Sequence, residues 1–365
     1  MGSVAQIYNF SAGPAVLPAA VVRQVQSELV SYKNSGMSIM EISHRSSLYT
    51  EMEAEAERNL RELMRIPDEY DILFLQGGGT LQFTMAPLNF AQKTKQIGFI
   101  DSGHWAQRAI EEARLVPGVK AKVVASAKTT NYTSLPKDPV LQKTYDYIHL
   151  TLNNTIEGTM YRTLPDLKNQ VVVGDMSSNI MAQRYNVKDF DLIYAGAQKN
   201  IGPAGLTVVI VKHSLLHTTP ELPSMLSYAK QAAKHSALNT PPVFAIYVAS
   251  LVFKWLLQQG GVDEMQKRNE KKAQLLYDYL DSSSLFSAPV KKAARSTTNV
   301  PFVTGNAELD QRFVVAAQEN GLVNLKGHRL VGGMRASLYN AMPLEGVQKL
   351  VEFMESFEQN IGGNK

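Results

Sequence analysis

The sequence predicts an α/β protein whose larger part is a doubly wound, mostly parallel sheet, joined to a smaller C-terminal α/β domain. Three observations carry this expectation. Short apolar runs alternate with helix-period segments through most of the chain, the pattern of strands linked by crossover helices. Many of those runs are apolar almost without a break, as in strands covered on both faces. Beyond Gly260-Gly261 the alternation gives way to a long charged helical pattern. At 365 residues the chain is also too long for one small core.

The elements follow in order. In TEMEAEAERNLRELMR, residues Met52, Ala56, Leu60, Leu63 and Met64 recur at helical spacing, and Pro67 lies just past the end. The run Asp71–Leu75 then reads as a strand, Gly77-Gly78-Gly79 as a turn, and a second helix starts near Thr80. Further strand-like runs are Gln96–Ile100, Ala121–Ala125, Tyr145–Leu152, Val171–Gly174, Asp191–Tyr194 and Leu206–Val211. Val243–Phe253 reads as a buried helix and Val262–Leu280 as a long charged one. The expected division is a large domain over residues 16–260. Residues 1–15 are expected to pack with residues 261–365 in the smaller domain. Ligands of such sheets sit at the carboxyl ends of the strands.

Composition removes several classes of function. There is no cysteine, which excludes disulfides, thiolate metal sites and cysteine nucleophiles. The net charge of +4 is spread along the chain rather than gathered in a stripe, so no nucleic-acid partner is expected. The N-terminus has no basic segment followed by an apolar one, and Gln6 breaks the myristoylation pattern. The run Val243–Phe253 is shorter than the roughly 20 residues of a membrane span. A cytoplasmic location follows by elimination. His213 and His217 stand at helical spacing without carboxylate neighbours, so they read as surface or packing residues and no metal is expected.

Four features point to chemistry. Lys199 lies in AGAQKNIGPAG, a turn of small residues between two apolar runs. Most lysines are solvated surface charges. One with small neighbours leaves room for a bulky ligand, and a desolvated lysine can form a Schiff base. Asp175 ends the run VVVGD about one β-α-β unit earlier. It reads either as a turn aspartate or as the carboxylate that keeps a pyridine nitrogen protonated. Gly77-Gly78-Gly79-Thr80 joins strand to helix and can present N–H groups to a phosphate, yet it lacks the lysine of a nucleotide-binding loop. Trp105 follows a strand end in a polar loop, where its plane could stack on a ring. Trp255 sits in an apolar helix and reads as core.

Two His-Arg pairs, His44-Arg45 and His328-Arg329, with Arg335 close after the second, suggest a site for doubly acidic substrates, because arginine grips carboxylate and phosphate in a bidentate fork. In a fully extended chain Arg329 and Arg335 would stand about 20 Å apart. Either Gly332-Gly333 bends the chain, or the two hold opposite ends of a substrate.

The motifs NFSAGPAVLP from Asn9, SHRS from Ser43, QGGGTLQF from Gln76, SGHWA from Ser102, NNTIEGT from Asn153, GDMSSNI from Gly174, YAGAQKNIGPAG from Tyr194, NTPPVF from Asn239 and KGHRLVGGMRASLYNA from Lys326 span nearly the whole chain. Together they resemble the phosphoserine aminotransferases, a class V family of pyridoxal-phosphate enzymes with the fold-type-I architecture. The resemblance implies pyridoxal 5'-phosphate as cofactor, carried as a Schiff base on Lys199, with Asp175 on the ring nitrogen and Trp105 against the ring. It implies that Gly79, Thr80 and Gln198 hold the cofactor phosphate and that Thr155 hydrogen-bonds the cofactor. Asn239 and Thr240 would reach the cofactor phosphate of the neighbouring subunit in a homodimer. His44, Arg45, His328, Arg329 and Arg335 would bind substrate. The implied reaction exchanges an amino group between phosphoserine with 2-oxoglutarate and 3-phosphooxypyruvate with glutamate, by a ping-pong route in serine biosynthesis. Some family members carry an extra arginine in the glycine turn. Here the turn reads Gly79-Thr80-Leu81, which leaves more of the phosphate to the His-Arg pairs. Among rivals on the same fold, a cysteine desulfurase fails for want of a thiol. An alanine–glyoxylate-type transaminase, or a non-catalytic anion-binding protein, stays open to experiment.

Overall fold

The computed structural model describes residues 6–141, 143–217 and 219–362. Met1–Ala5, read above for targeting signals and as the start of the smaller domain, lie outside the described residues.

A seven-stranded sheet organises the larger part. Its strands are β1 (Tyr70–Leu75), β2 (Gln96–Asp101), β3 (Lys120–Ser126), β4 (Tyr147–Thr151), β5 (Val172–Asp175), β6 (Leu192–Gly196) and β7 (Thr207–Lys212). They lie in the order β1-β7-β6-β5-β4-β2-β3. Every neighbouring pair is parallel except the two that involve β7, which runs antiparallel to β1 and β6. The exception has a local cause. The link from β6 to β7 carries Lys199 and is closed by Ala197 N–H donating to Leu206 at 2.9 Å. A parallel return requires a crossover of a dozen residues or more, usually helical, and this turn supplies none.

Alternate side chains of each strand serve opposite faces. Val208 and Ile210 of β7 join one core, with helices α1 (Ala19–Glu28), α2 (Ser47–Met64) and α5 (Val243–Gln258). Val209 and Val211 join the other, with α3 (Gly78–Phe90) and α4 (His104–Leu115). Both faces are thus covered, which accounts for the unbroken apolar runs. The edge strand β3 is covered less completely. Trp255 packs against the α2–α5 core. Among the described residues no single helix is long and apolar enough to cross a membrane.

A third core lies in the C-terminal part. It gathers the strand pair β8 (Asn299–Phe302) and β9 (Met334–Ser337) with α7 (Ala307–Glu319) and α8 (Leu344–Gly362). Tyr8 and Phe10 belong to it, and Tyr8–Asn9 pairs in parallel with Leu322–Val323. Helix α6 (Gly261–Ser282) links the cores. Its Val262 and Met265 lie in the sheet core, and its Ala273, Leu276, Tyr277 and Leu280 in the C-terminal one. The side chains of Arg65 and Arg184 meet Asp263 in its first turn at 2.7 and 2.8 Å. Midway along, Lys272 is 2% exposed and donates to the carbonyls of Leu338, Tyr339 and Met342 at 3.0, 2.8 and 3.0 Å. Those carbonyls belong to the loop that follows β9.

Candidate active site

The carboxyl ends of β1, β2, β4, β5 and β6 open on one cleft. Its wall includes Gly79, Thr80, Phe83, Trp105, Thr155, Asp175, Gln198 and Lys199, around ≈ 450 Å³ of empty space that opens to solvent. Most of the residues expected to hold a cofactor therefore meet in one place. Two glycines make the walls. Gly77, with φ of 93°, turns the chain from β1 into α3 in a conformation that L side chains rarely adopt. At Gly103 a Cβ would stand 2.7 Å from Glu157 Oε2 and 2.8 Å from Asn154 Oδ1, so a side chain there would displace the Glu157 carboxylate from the start of α4, just before Trp105.

Lys199 Nζ donates to Thr155 Oγ1 at 2.8 Å and lies 6.0 Å from the centre of the Trp105 ring. Burial lowers the ammonium to about 8. The Asp175 carboxylate opposes that shift, and the Arg335 cation adds to it. Near neutral pH a usable share of the amine is free to act as nucleophile or base. Asp175 is 6% exposed, and one of its oxygens accepts from Ser177 N–H at 2.9 Å. Burial raises its carboxyl, and hydrogen bonds from Ser177, the Lys199 charge and the Tyr194 hydroxyl hold it back.

Behind these groups lies a layer that sequence reasoning did not single out. Ser177 Oγ accepts from Gly196 N–H at 3.1 Å and so ties the end of β5 to β6. The Tyr194 hydroxyl meets His149 Nε2 at 2.8 Å. Burial drives His149 down to about 3, so its ring is neutral. The Ser178 hydroxyl donates to the Asn153 carbonyl at 2.9 Å, and the Asn153 amide donates to Asn299 Oδ1 at 2.8 Å, which joins the cleft floor to β8. Glu157 Oε1 accepts from His104 N–H at 2.8 Å and caps the start of α4. The N-terminal loop closes on the lysine turn through Ala15 N–H, which donates to the Gln198 carbonyl at 2.9 Å. Most of these residues fall in the motifs that carry the resemblance, such as GDMSSNI and NNTIEGT, while His149 and Asn299 lie outside them. Their mutual contacts depend on pairings between distant segments.

The cationic residues divide. Arg335 Nη1 donates to the Thr155 carbonyl at 3.3 Å, and its Nε is buried without a partner among the described residues. The chain from Lys326 to Met334 folds back on itself through Gly332 and Gly333, at φ of 69° and 61°. The bend at Gly332-Gly333 that the sequence allowed is present. It sets the His328 ring 6.0 Å from that of His104, next to Trp105. Arg329 is exposed on the same bend. Arg45 is exposed and His44 half-buried, and no contact among the described residues brings either to the cleft. Asn239 and Thr240 are also exposed. The Thr240 carbonyl accepts from the Gln76 amide at 3.1 Å, beside the glycine turn.

Known proteins resemble this chain over nearly its whole length. The family described as aminotransferase class-V matches residues 7–350. The chain is 60% identical to the phosphoserine aminotransferase of Lactiplantibacillus plantarum, over 96% of this chain and 98% of that one. Among solved structures, it superposes on the phosphoserine aminotransferase of Bacillus circulans subsp. alkalophilus with a TM-score of 0.95 at 43% identity, covering 98% of this chain and 99% of that one. The phosphoserine aminotransferase of Trichomonas vaginalis, solved with pyridoxal phosphate bound, gives 0.92 at 36% identity over 96% and 100% of the two chains. These matches, over nearly the whole chain, place it in the class-V aminotransferase family, among the phosphoserine aminotransferases.

Proposed function

We propose that the chain is a pyridoxal-phosphate-dependent aminotransferase that exchanges an amino group between phosphoserine with 2-oxoglutarate and 3-phosphooxypyruvate with glutamate. The observation that carries this reading is Lys199, desolvated and held 2.8 Å from Thr155, in the same cleft as the buried Asp175 carboxylate. The polar groups of the cleft also suit the cofactor. Trp105 Nε1 and Thr151 Oγ1 are buried without partners among the described residues. Gly78 and Gly79 begin α3, where first-turn N–H groups suit a phosphate. When bound, the cofactor supplies an electron sink for charge developing at the substrate α-carbon.

The protein's own groups divide the remaining work. Lys199 anchors the cofactor through its amine and, once displaced, moves the proton at the substrate α-carbon as base and then acid. Asp175 holds a proton on the ring nitrogen. Trp105 covers one ring face and keeps water from it. Gly79, Thr80 and Gln198 hold the cofactor phosphate, and Thr155 orients the lysine and the ring. Arg335 grips the α-carboxylate shared by all four substrates. His328 and Arg329 take the second acidic group.

The working unit in this reading is a homodimer. The exposed pair Asn239-Thr240 precedes the stiff Pro241-Pro242 and reaches the partner's cofactor phosphate, and His44 with Arg45 adds to the substrate site.

Two measurements test the proposal. The purified protein should absorb visible light, bleach with borohydride, and convert phosphoserine to 3-phosphooxypyruvate in a half-reaction. A protein that stays colourless with added cofactor, or that prefers alanine and glyoxylate, would overturn it. For the dimer, inactive Lys199→Ala subunits mixed with inactive Asn239→Ala/Thr240→Ala subunits should partly regain activity. No recovery despite proven subunit exchange would exclude a shared site.

A further inference from the structure

We infer that His104 is a second imidazole of the subsite for the substrate's phosphate group, facing the dianion together with His328. The inference rests on the phosphoserine reading and adds to it a residue that the sequence did not single out.

The geometry has three parts. His104 opens α4 immediately before Trp105, and its ring meets the Trp105 ring edge-on with centroids 5.2 Å apart. Its ring also lies 6.0 Å from that of His328, tilted by 38°. Two imidazoles at that separation converge on one small anion at the rim of the cleft that holds Lys199. The main chain of His104 is pinned, since its N–H donates to the Glu157 carboxylate at 2.8 Å, so the ring is presented from a fixed point.

The hydrogen-bond ledger of the two rings is open on the side that an anion needs. His328 Nδ1 accepts from Leu330 N–H at 3.3 Å. Its proton therefore sits on Nε2, a donor without a partner among the described residues. Neither ring nitrogen of His104 has a hydrogen-bond partner among the described residues.

The charges around His104 come from three elements. On α4, Arg108 is already engaged by Glu111 and by Glu112, the latter at 2.6 Å. On the bend, the Arg329 cation acts on it and the His328 ring lies beside it. After β4, Glu157 lies against its backbone, and burial raises that carboxyl toward its neutral form. Burial lowers both imidazoles, with help from Arg108 and Arg329 at His104 and from Arg335 at His328. Both are therefore neutral at rest and take up protons when a dianion arrives, because an opposite charge favours the protonated ring. A carboxylate, with a single charge, draws in less. The pair thus discriminates phosphoserine from glutamate, and it offsets the missing arginine of the Gly79-Thr80-Leu81 turn.

The test uses the holoenzyme and the cofactor-free protein. With histidine labelled in the ring nitrogens, the His104 signal is identified by its loss in His104→Phe. Titration of the cofactor-free protein with inorganic phosphate should then raise the pKa of that ring by about one unit or more. In the holoenzyme, His104→Phe should raise KM for phosphoserine about tenfold more than KM for glutamate, the size of one hydrogen bond to a charged group. His104→Asn, which restores a donor but cannot titrate, should recover part of that loss while flattening the pH dependence of KM. An unmoved His104 signal under saturating phosphate, or equal KM changes for the two substrates, overturns the inference. Wild-type turnover of phosphoserine is measured first. If the wild type is active and these effects are missing, the inference alone fails. If the wild type does not use phosphoserine, the broader reading fails with it.

Discussion

Burial pushes both Lys199 and Lys272 below the ordinary lysine range, Lys199 to about 8 and Lys272 to about 7. Their surroundings then separate them. Lys272 has all three of its N–H bonds met by carbonyls of one loop, at 2.8 to 3.0 Å. Among the described residues Lys199 has a single hydroxyl partner, and an open cleft lies in front of it. Desolvation alone therefore does not make a lysine reactive. A buried amine that is fully hydrogen-bonded is a structural strut, and one left with unused bonding capacity is a reagent.

The largest effect that can break this contrast is on turnover. Lys199→Ala should lower transamination by about four orders of magnitude, the upper range for a positioned acid–base group, while its unfolding free energy in urea falls by only about 1–2 kcal/mol, the cost of taking one donor from the buried Thr155 hydroxyl. Near-normal turnover of the purified variant would end the assignment. Lys272→Met should show the reverse. Three buried carbonyls lose their donor, at a cost of about 3–5 kcal/mol in unfolding free energy, and the fraction that remains folded should still bind cofactor. A Lys272→Met protein as stable as wild type would mean that the strut carries nothing.

Arg335 lies on β9, directly before the loop that Lys272 holds, so the two regions meet there. Arg335→Ala should weaken kcat/KM for phosphoserine and for glutamate alike, by about one to two orders of magnitude. Arg329→Ala, on the exposed bend, should weaken phosphoserine more. Equal losses on both substrates for Arg329→Ala would contradict that division. The smallest effect is on pH. Only the neutral amine of Lys199 attacks the cofactor's aldehyde. Cofactor capture by cofactor-free protein should therefore quicken as pH rises through about 8 and then level off, a gain of about tenfold over the value at pH 7. Borohydride trapping followed by peptide mapping should find the label on Lys199 and not on Lys272.

The same contrast shows what a sequence displays and what it hides. Lys199 and Asp175 could be read because their chemistry demands those residue types at strand ends, amid small neighbours. The strands could be read because both faces of the sheet are covered. Lys272 could not. In QKRNEKKAQLL it looks like any solvated helix lysine, and the adjacent Lys271 is one. Only the packing of α6 on the loop after β9 separates them. His149 and Tyr194 stay hidden for a similar reason, since their pairing joins strands far apart in the chain. The antiparallel β7 follows from the length of one turn, which apolar patterning does not report. His44-Arg45 stood out as a charged pair, but patterning does not say which subunit's cleft such a pair serves.

Helix α6 limits how the molecule can be taken apart. Its first turn supplies Val262 and Met265 to the sheet core, and Asp263 to Arg65 and Arg184, before its second half enters the C-terminal core. A fragment that stopped at Gly260 would leave a hydrophobic socket empty and two arginines without their carboxylate. One that began at Gly261 would carry an apolar end with nothing to cover it. The helix acts as a splint across the join, so a rotation of one part against the other must turn the whole rod, and with it the loop that follows Arg335.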